Sequence, residues 1–125
     1  MNIADIAEVQ FDAASFWEAA KTHRLLVARC NACGEAHYYP RQICPFCRAD
    51  DVELAPASGR GTIYSLSVTE RPDHRRVVAY VTLEEGPTMM TRIIDAPQDI
   101  AIGDAVTVDF EASPDGLTVP VFRRT

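Results

Sequence analysis

The cysteines restrict this chain more than any other feature. There are four, in two Cys-x-x-Cys pairs, Cys30-Asn31-Ala32-Cys33 and Cys44-Pro45-Phe46-Cys47, with ten residues between the pairs. Each pair has the spacing of a knuckle, a tight turn that aims two thiolates at one point, and two knuckles close a tetrahedral shell around a metal ion. Disulfides, a redox-active Cys-x-x-Cys and an iron–sulfur site are the other chemistries open to such cysteines. A thioredoxin-like site uses one pair at the start of a helix in a βαβ context, and neither pair sits in one. Cys30, Cys33, Cys44 and Cys47 are therefore expected to hold one structural Zn²⁺. A closed all-thiolate shell has no open position for substrate or an activated water, so the metal should stiffen a segment too small to bury its own core.

Length and charge fit that expectation. A chain of 125 residues suits one domain, or a metal-held module joined to a compact β domain. It has no basic stretch leading into an apolar core at its start and no apolar run near the ~20 residues that span a bilayer. The expected location is cytoplasmic, where thiols stay reduced and no membrane is involved. A net charge of −6 opposes nonspecific nucleic-acid binding, which needs a field of Lys and Arg. The charge is uneven: residues 21–60 hold six bases against four acids, whereas residues 1–20 hold four acids and no base.

Three segments follow one another, giving a mainly β chain with an N-terminal helix, a four-cysteine zinc ribbon and a five-stranded OB-fold barrel. Residues 1–24 carry the helix, with Asp12 or Ser15 as its cap and Ser15-Phe16-Trp17-Glu18 at capping-box spacing. Phe11, Phe16 and Trp17 either fold back on the chain's own core or dock into a partner, since buried aromatic anchors carry interface energy. Residues 25–57 form the ribbon. His37 lies between the knuckles and is a conceivable ligand, but four cysteines already complete the shell. Residues 58–125 read as five strands: Gly61–Val68, Val77–Leu83, Thr88–Ile94, Ala105–Phe110 and Leu117–Phe122, with turns at Glu85-Gly86-Pro87 and Asp115-Gly116. Ile94–Gly103 falls where such barrels place a connection or short helix.

No self-sufficient active site is visible. A phosphate-binding glycine loop, G-x-S-x-G and H-E-x-x-H are all missing, no cysteine lies outside the ribbon, and His23, His37 and His74 are scattered. The one functional-looking run is Arg71-Pro72-Asp73-His74-Arg75-Arg76, expected as a basic loop between the first two barrel strands. It is either a solvated connection or, lying beside the usual ligand face of an OB barrel, a contact for a phosphate-bearing ligand.

The ordered set of Phe16-Trp17, Arg29-Cys30-Asn31-Ala32-Cys33-Gly34, Pro40-Arg41-Gln42-Ile43-Cys44-Pro45-Phe46-Cys47, Ser58-Gly59-Arg60-Gly61-Thr62-Ile63, Val81-Thr82-Leu83-Glu84-Glu85-Gly86 and Ile102-Gly103-Asp104-Ala105-Val106 resembles the DUF35 family. Its members pair a rubredoxin-like zinc ribbon with an acyl-CoA-associated OB-fold. The likeness runs from about Phe11 to Phe122. Two departures are Tyr39, where many members carry a proline, and the missing Pro-Tyr before the second barrel strand, with Tyr80 further along.

The resemblance implies a non-catalytic accessory subunit that binds and bridges a thiolase-like partner, an acyltransferase, thiolase or aldolase acting on CoA thioesters, with MaoC-type hydratases as a further partner class. A CoA thioester would then lie at the shared interface, with Arg60, Arg71, Arg75 and Arg76 as its phosphate contacts and Phe11, Phe16 and Trp17 as partner anchors. Two other readings stand beside it. One is a stand-alone acyl-CoA-binding protein. The other is a nucleic-acid-binding ribbon-plus-OB module that stacks bases on Tyr64 and Tyr80, which ten acids against seven arginines from Ser58 onward oppose.

Overall fold

Three short strands frame the cysteines and five more, of five to twelve residues, follow them. A computed structural model describes residues 13–125. Helix α1 spans Ala14–Ala20. The ribbon has β1 (Leu26–Cys30), β2 (Ala36–His37) and β3 (Val52–Pro56), and the barrel has β4 (Arg60–Arg71), β5 (His74–Leu83), β6 (Thr88–Arg92), β7 (Ala105–Ala112) and β8 (Thr118–Arg124). Among the described residues no helix is long and apolar enough to cross a membrane.

The helix departs from its expected start. Ala13 takes the N-cap position without a side-chain cap, and Ser15 lies inside the helix, so the Ser15–Glu18 capping box is not its beginning. Asp12, like Phe11, lies outside the described residues. What holds this seven-residue helix is tertiary burial, as expected for a segment too short to be stable alone. Phe16 is 1% exposed and meets the rings of Trp17, Tyr38 and Tyr39 edge-on at 5.1, 5.7 and 5.8 Å. Of its two expected roles, Phe16 takes the inward one. Trp17 stays half-buried and donates its indole N–H to the Tyr39 hydroxyl at 3.3 Å.

The ribbon sheet is antiparallel in the order β2-β1-β3, with Ala28 opposite His37 and Cys30 opposite Val52. The barrel sheet runs β6-β5-β4-β7-β8, and a parallel bridge from Ile93 to Phe122 brings its two ends together, with the Ile94 N–H donating to the Phe122 carbonyl at 2.9 Å. This nearly closed five-stranded arrangement is that of an OB barrel, and closure removes most of the exposed sheet edge. Alternation along β5 turns Val77, Ala79, Val81 and Leu83 into the barrel. One cluster joins these to Phe16, Leu25 and Val27, so helix, ribbon root and barrel share a core.

Two glycines explain the Ser58–Gly61 run. Gly59 has φ +81°, and a Cβ there would lie 2.5 Å from Val108 Cγ1. At Gly61 a Cβ would lie 2.6 Å from Val81 Cγ1 and 2.8 Å from the Thr82 carbonyl oxygen, so only glycine lets β4 pass this close to β5.

The expected basic loop is not a loop. Arg71 closes β4 and His74, Arg75 and Arg76 open β5, with Arg71 directly opposite His74. Only Pro72 and Asp73 turn the chain, proline presetting the φ that the turn needs. The strands are thus longer than the alternation alone indicated, and β4 accommodates an irregularity between Ile63 and Ser65 at Tyr64. The connection before β7 contains no helix; Ile100 pins it to the core.

Candidate metal centre and barrel groove

Cys30 ends β1, and the chain returns through Gly34 at φ +81°. The second knuckle repeats the geometry with Arg48 at φ +67°, where glycine would be the easier residue. All four sulfurs lie within 4.8 Å of one another. Cys30 Sγ stands 3.6 Å from Cys47 Sγ, and Cys33 Sγ 3.7 Å from Cys44 Sγ. A tetrahedral zinc shell with Zn–S near 2.3 Å places its sulfurs about 3.8 Å apart, so the four residues fit the ion. A disulfide, with sulfurs about 2.05 Å apart, is not what this geometry holds. His37 lies outside the cluster, buried on β2, with both ring nitrogens lacking a partner among the described residues.

The thiols are poised unequally. Cys44 is pushed down to about 7, chiefly by the Cys47 N–H and also by that of Phe46, working against burial. At Cys33 the Glu35 N–H acts in the same lowering sense, but burial and the neighbouring thiols of Cys47, Cys30 and Cys44 outweigh it and push the group up to about 12. One thiolate therefore forms readily, and further ones are resisted by it. A divalent cation at the centre removes that resistance.

Away from the cysteines, the histidines among the described residues are not set beside a nucleophile. His74 Nδ1 lies 2.9 Å from its exposed neighbour Asp73, and His23 stacks on Phe110 with ring centroids 5.1 Å apart. Neither histidine bonds a serine, threonine or cysteine.

The barrel carries two adjoining hollows. The first is an apolar groove of about 350 Å³ over the seam of β6 and β8, lined by Trp17, Tyr38, Val78, Met90, Val119 and Val121. The second, of about 600 Å³, is polar and lined by Arg75, Arg76, Arg92, Asp95, Glu111 and Arg123 among others. Arg76, Arg92 and Glu111 border both. Of the lining residues, the sequence marks Trp17 as a partner anchor and Arg75 and Arg76 as phosphate contacts. Met90 had a signal, since it alternates with the buried Met89 in β6 and so must face outward.

Most arginines here are committed. Arg75 donates to the carbonyl oxygens of Ala96 at 2.7 Å and Pro97 at 3.3 Å and pairs with Glu70 at 3.4 Å, Arg92 pairs with Glu111, and Arg123 pairs with Asp95 and Asp109. Arg76 makes no ion pair among the described residues. Arg60 pairs with Glu84 at 2.8 Å in a separate cleft. Along β4 it lies eleven positions from Arg71, on the order of 35 Å of extended strand. The four arginines expected to act together therefore divide between two places.

Two family models cover most of the chain: the ChsH2 rubredoxin-like zinc ribbon domain over residues 17–53 and the ChsH2 C-terminal OB-fold domain over residues 55–111. A DUF35 domain-containing scaffold protein of Methanothermobacter thermautotrophicus is 36% identical over 107 residues, 76% of this chain and 80% of that protein. A probable enoyl-CoA hydratase alpha subunit of Thermomonospora curvata is 42% identical over 117 residues, 87% of this chain. The match spans only 36% of that subunit's length. Among solved structures, the Ltp2-ChsH2(DUF35) aldolase is similar at a TM-score of 0.77 and 41% identity, over 90% of this chain and 94% of that one. A Sulfolobus solfataricus DUF35 protein of unknown function shares the fold at a TM-score of 0.69 and 12% identity, over 98% of this chain and 92% of that one.

Proposed function

The chain belongs to the DUF35 family of zinc-ribbon and OB-fold proteins, and from that premise we propose that it is a non-catalytic accessory subunit of a complex acting on CoA thioesters. Its catalytic partner is thiolase-like, and an acyltransferase, thiolase or aldolase would serve. Zinc is the ion held by Cys30, Cys33, Cys44 and Cys47, where it stiffens the ribbon and performs no chemistry. The observation that carries the reading is the pairing of hollows on the barrel. An apolar groove opens into an arginine-bordered cleft, whose carboxylates Asp95 and Glu111 are engaged in ion pairs with Arg123 and Arg92. Such a surface suits a ligand with an apolar arm and an anionic end.

Two relatives support a role beside another subunit, one named as a hydratase alpha subunit and one solved as an aldolase with two named components. In this reading the CoA thioester lies where the two proteins meet. Arg76, at the border of both hollows and without an ion pair among the described residues, is the best placed of the expected phosphate contacts. Trp17, on the groove wall, is the best placed partner anchor.

The test is a tagged recovery from the native host, analysed by native mass spectrometry with zinc counted in the same sample. The expected result is a stoichiometric thiolase-like subunit and one zinc per chain. Turnover of an acyl-CoA by the purified chain alone would overturn the reading.

A further inference from the structure

Register sorts the side chains of β4, β5 and β6 into an inner and an outer set. On β5 the odd-numbered residues from Val77 to Leu83 are buried, so His74, Arg76, Val78, Tyr80 and Thr82 face outward. Tyr80 is directly opposite Met90 on β6, and Tyr64 occupies the irregularity in β4 beside Ser65, the other partner of Tyr80. Tyr64, Tyr80 and Met90 are 68%, 47% and 61% exposed and form a continuous row across three strands. Around them the outward positions hold serine, threonine and valine. At one end stand Arg71, His74, Arg76 and Arg92. No carboxylate occupies an outward position within these three strands, because Glu70, their one acid, pairs across to Arg75 on the opposite face.

Acids reach this face only from its edges, Glu111 at Arg92, Asp73 at His74 and Glu84 at Arg60, which leaves Arg71 and Arg76 as its basic end without an ion pair among the described residues, in a chain of net charge −6. Exposed Tyr and Met beside Arg is the composition of an interface centre, not of a solvated sheet. We propose that this outer face of β4, β5 and β6 docks the catalytic subunit, and that the matching surface is an apolar patch bordered at one end by carboxylates. The inference rests on the accessory-subunit reading and deepens it by assigning the docking face and the partner's chemistry. It is continuous with the groove through Val78 and Met90, so a ligand in the groove would lie at the rim of the contact. Single-stranded nucleic acid suits the face less well. It needs a wider basic field, and Arg92 is already neutralised by Glu111.

The experiment measures binding of the full zinc-loaded chain to the co-purifying catalytic subunit by calorimetry at low and high salt. Tyr80→Ala and Met90→Ala are each expected to weaken binding by about ten- to a hundredfold, the range for a truncated interface anchor. Arg71→Glu with Arg76→Glu should slow association and flatten the salt dependence. All four side chains are exposed, so zinc content and melting temperature should stay at wild-type values. Wild-type affinity in a Tyr80→Asp, Met90→Asp double variant would overturn this face while leaving the subunit reading intact. A wild-type chain that binds no catalytic subunit would overturn both. Oligo-dT binding at low salt that Tyr80→Ala abolishes would reassign the face to nucleic acid.

Discussion

From Arg41 to Ser58 the ribbon buries one side chain, that of Cys44, whereas the single barrel strand β5 buries four, Val77, Ala79, Val81 and Leu83. Both regions are β structure with the same backbone hydrogen bonding, so their stability has different sources. The barrel removes apolar area from water at about 25 cal/mol per Å². The second knuckle and the strand after it have almost nothing to remove, so thiolate–metal bonds are what hold the knuckles together. At its root, however, Leu25 and Val27 enter the barrel's core, so the two mechanisms meet there.

Metal removal should have the largest effect and tests the contrast most directly. Structural zinc supplies about 10–16 kcal/mol of apparent binding free energy in small zinc modules. A strong chelator, or Cys44→Ser, is expected to take zinc from one per chain to none and to raise hydrogen exchange across residues 30–52 while β5 stays protected. Loss of protection in β5 as well would break the contrast. Phe16→Ala attacks the meeting point. It should cost about 3–5 kcal/mol, and because Phe16 packs in the shared cluster the chain should still melt in one step. A separate early transition of the ribbon would show that the cores are independent.

Gly61→Ala isolates the barrel. Its new Cβ would press on the Thr82 backbone, with an expected cost of about 1–3 kcal/mol in urea unfolding and no change in zinc content. The smallest effect belongs to the ribbon. Burial, and secondarily Arg41, holds the His37 pKa below its ordinary value. As pH falls through the histidine range, near 6.5, the unfolded chain takes up a proton that the buried ring resists. This stability is present above that range and declines below it. His37→Phe should flatten the difference between urea midpoints at pH 7.5 and pH 5.5, and an unchanged difference would refute the assignment.

The parts that were legible in advance are those that a local rule governs. Cys-x-x-Cys spacing marked the four residues whose sulfurs converge, and alternation with turn residues marked all five barrel strands. The basic run Arg71–Arg76, expected as a loop between two strands, is instead mostly strand. Register places four of those six residues in strands. The capping box failed for a similar reason: Ser15 matched a pattern, but burial of Phe16, Ala19 and Ala20 determines where the helix lies.

The sequence by itself determined the two knuckles and the ribbon-then-barrel order, because each follows from residue type at short separation. Only the tertiary structure decided that Phe16 faces inward, that Arg60 stands apart from Arg76, and that Trp17, Met90 and Val121 line one groove. These depend on which distant strands become neighbours. Closing the barrel through Ile93 and Phe122 brings β6 against β8, and no local pattern in either strand encodes that meeting.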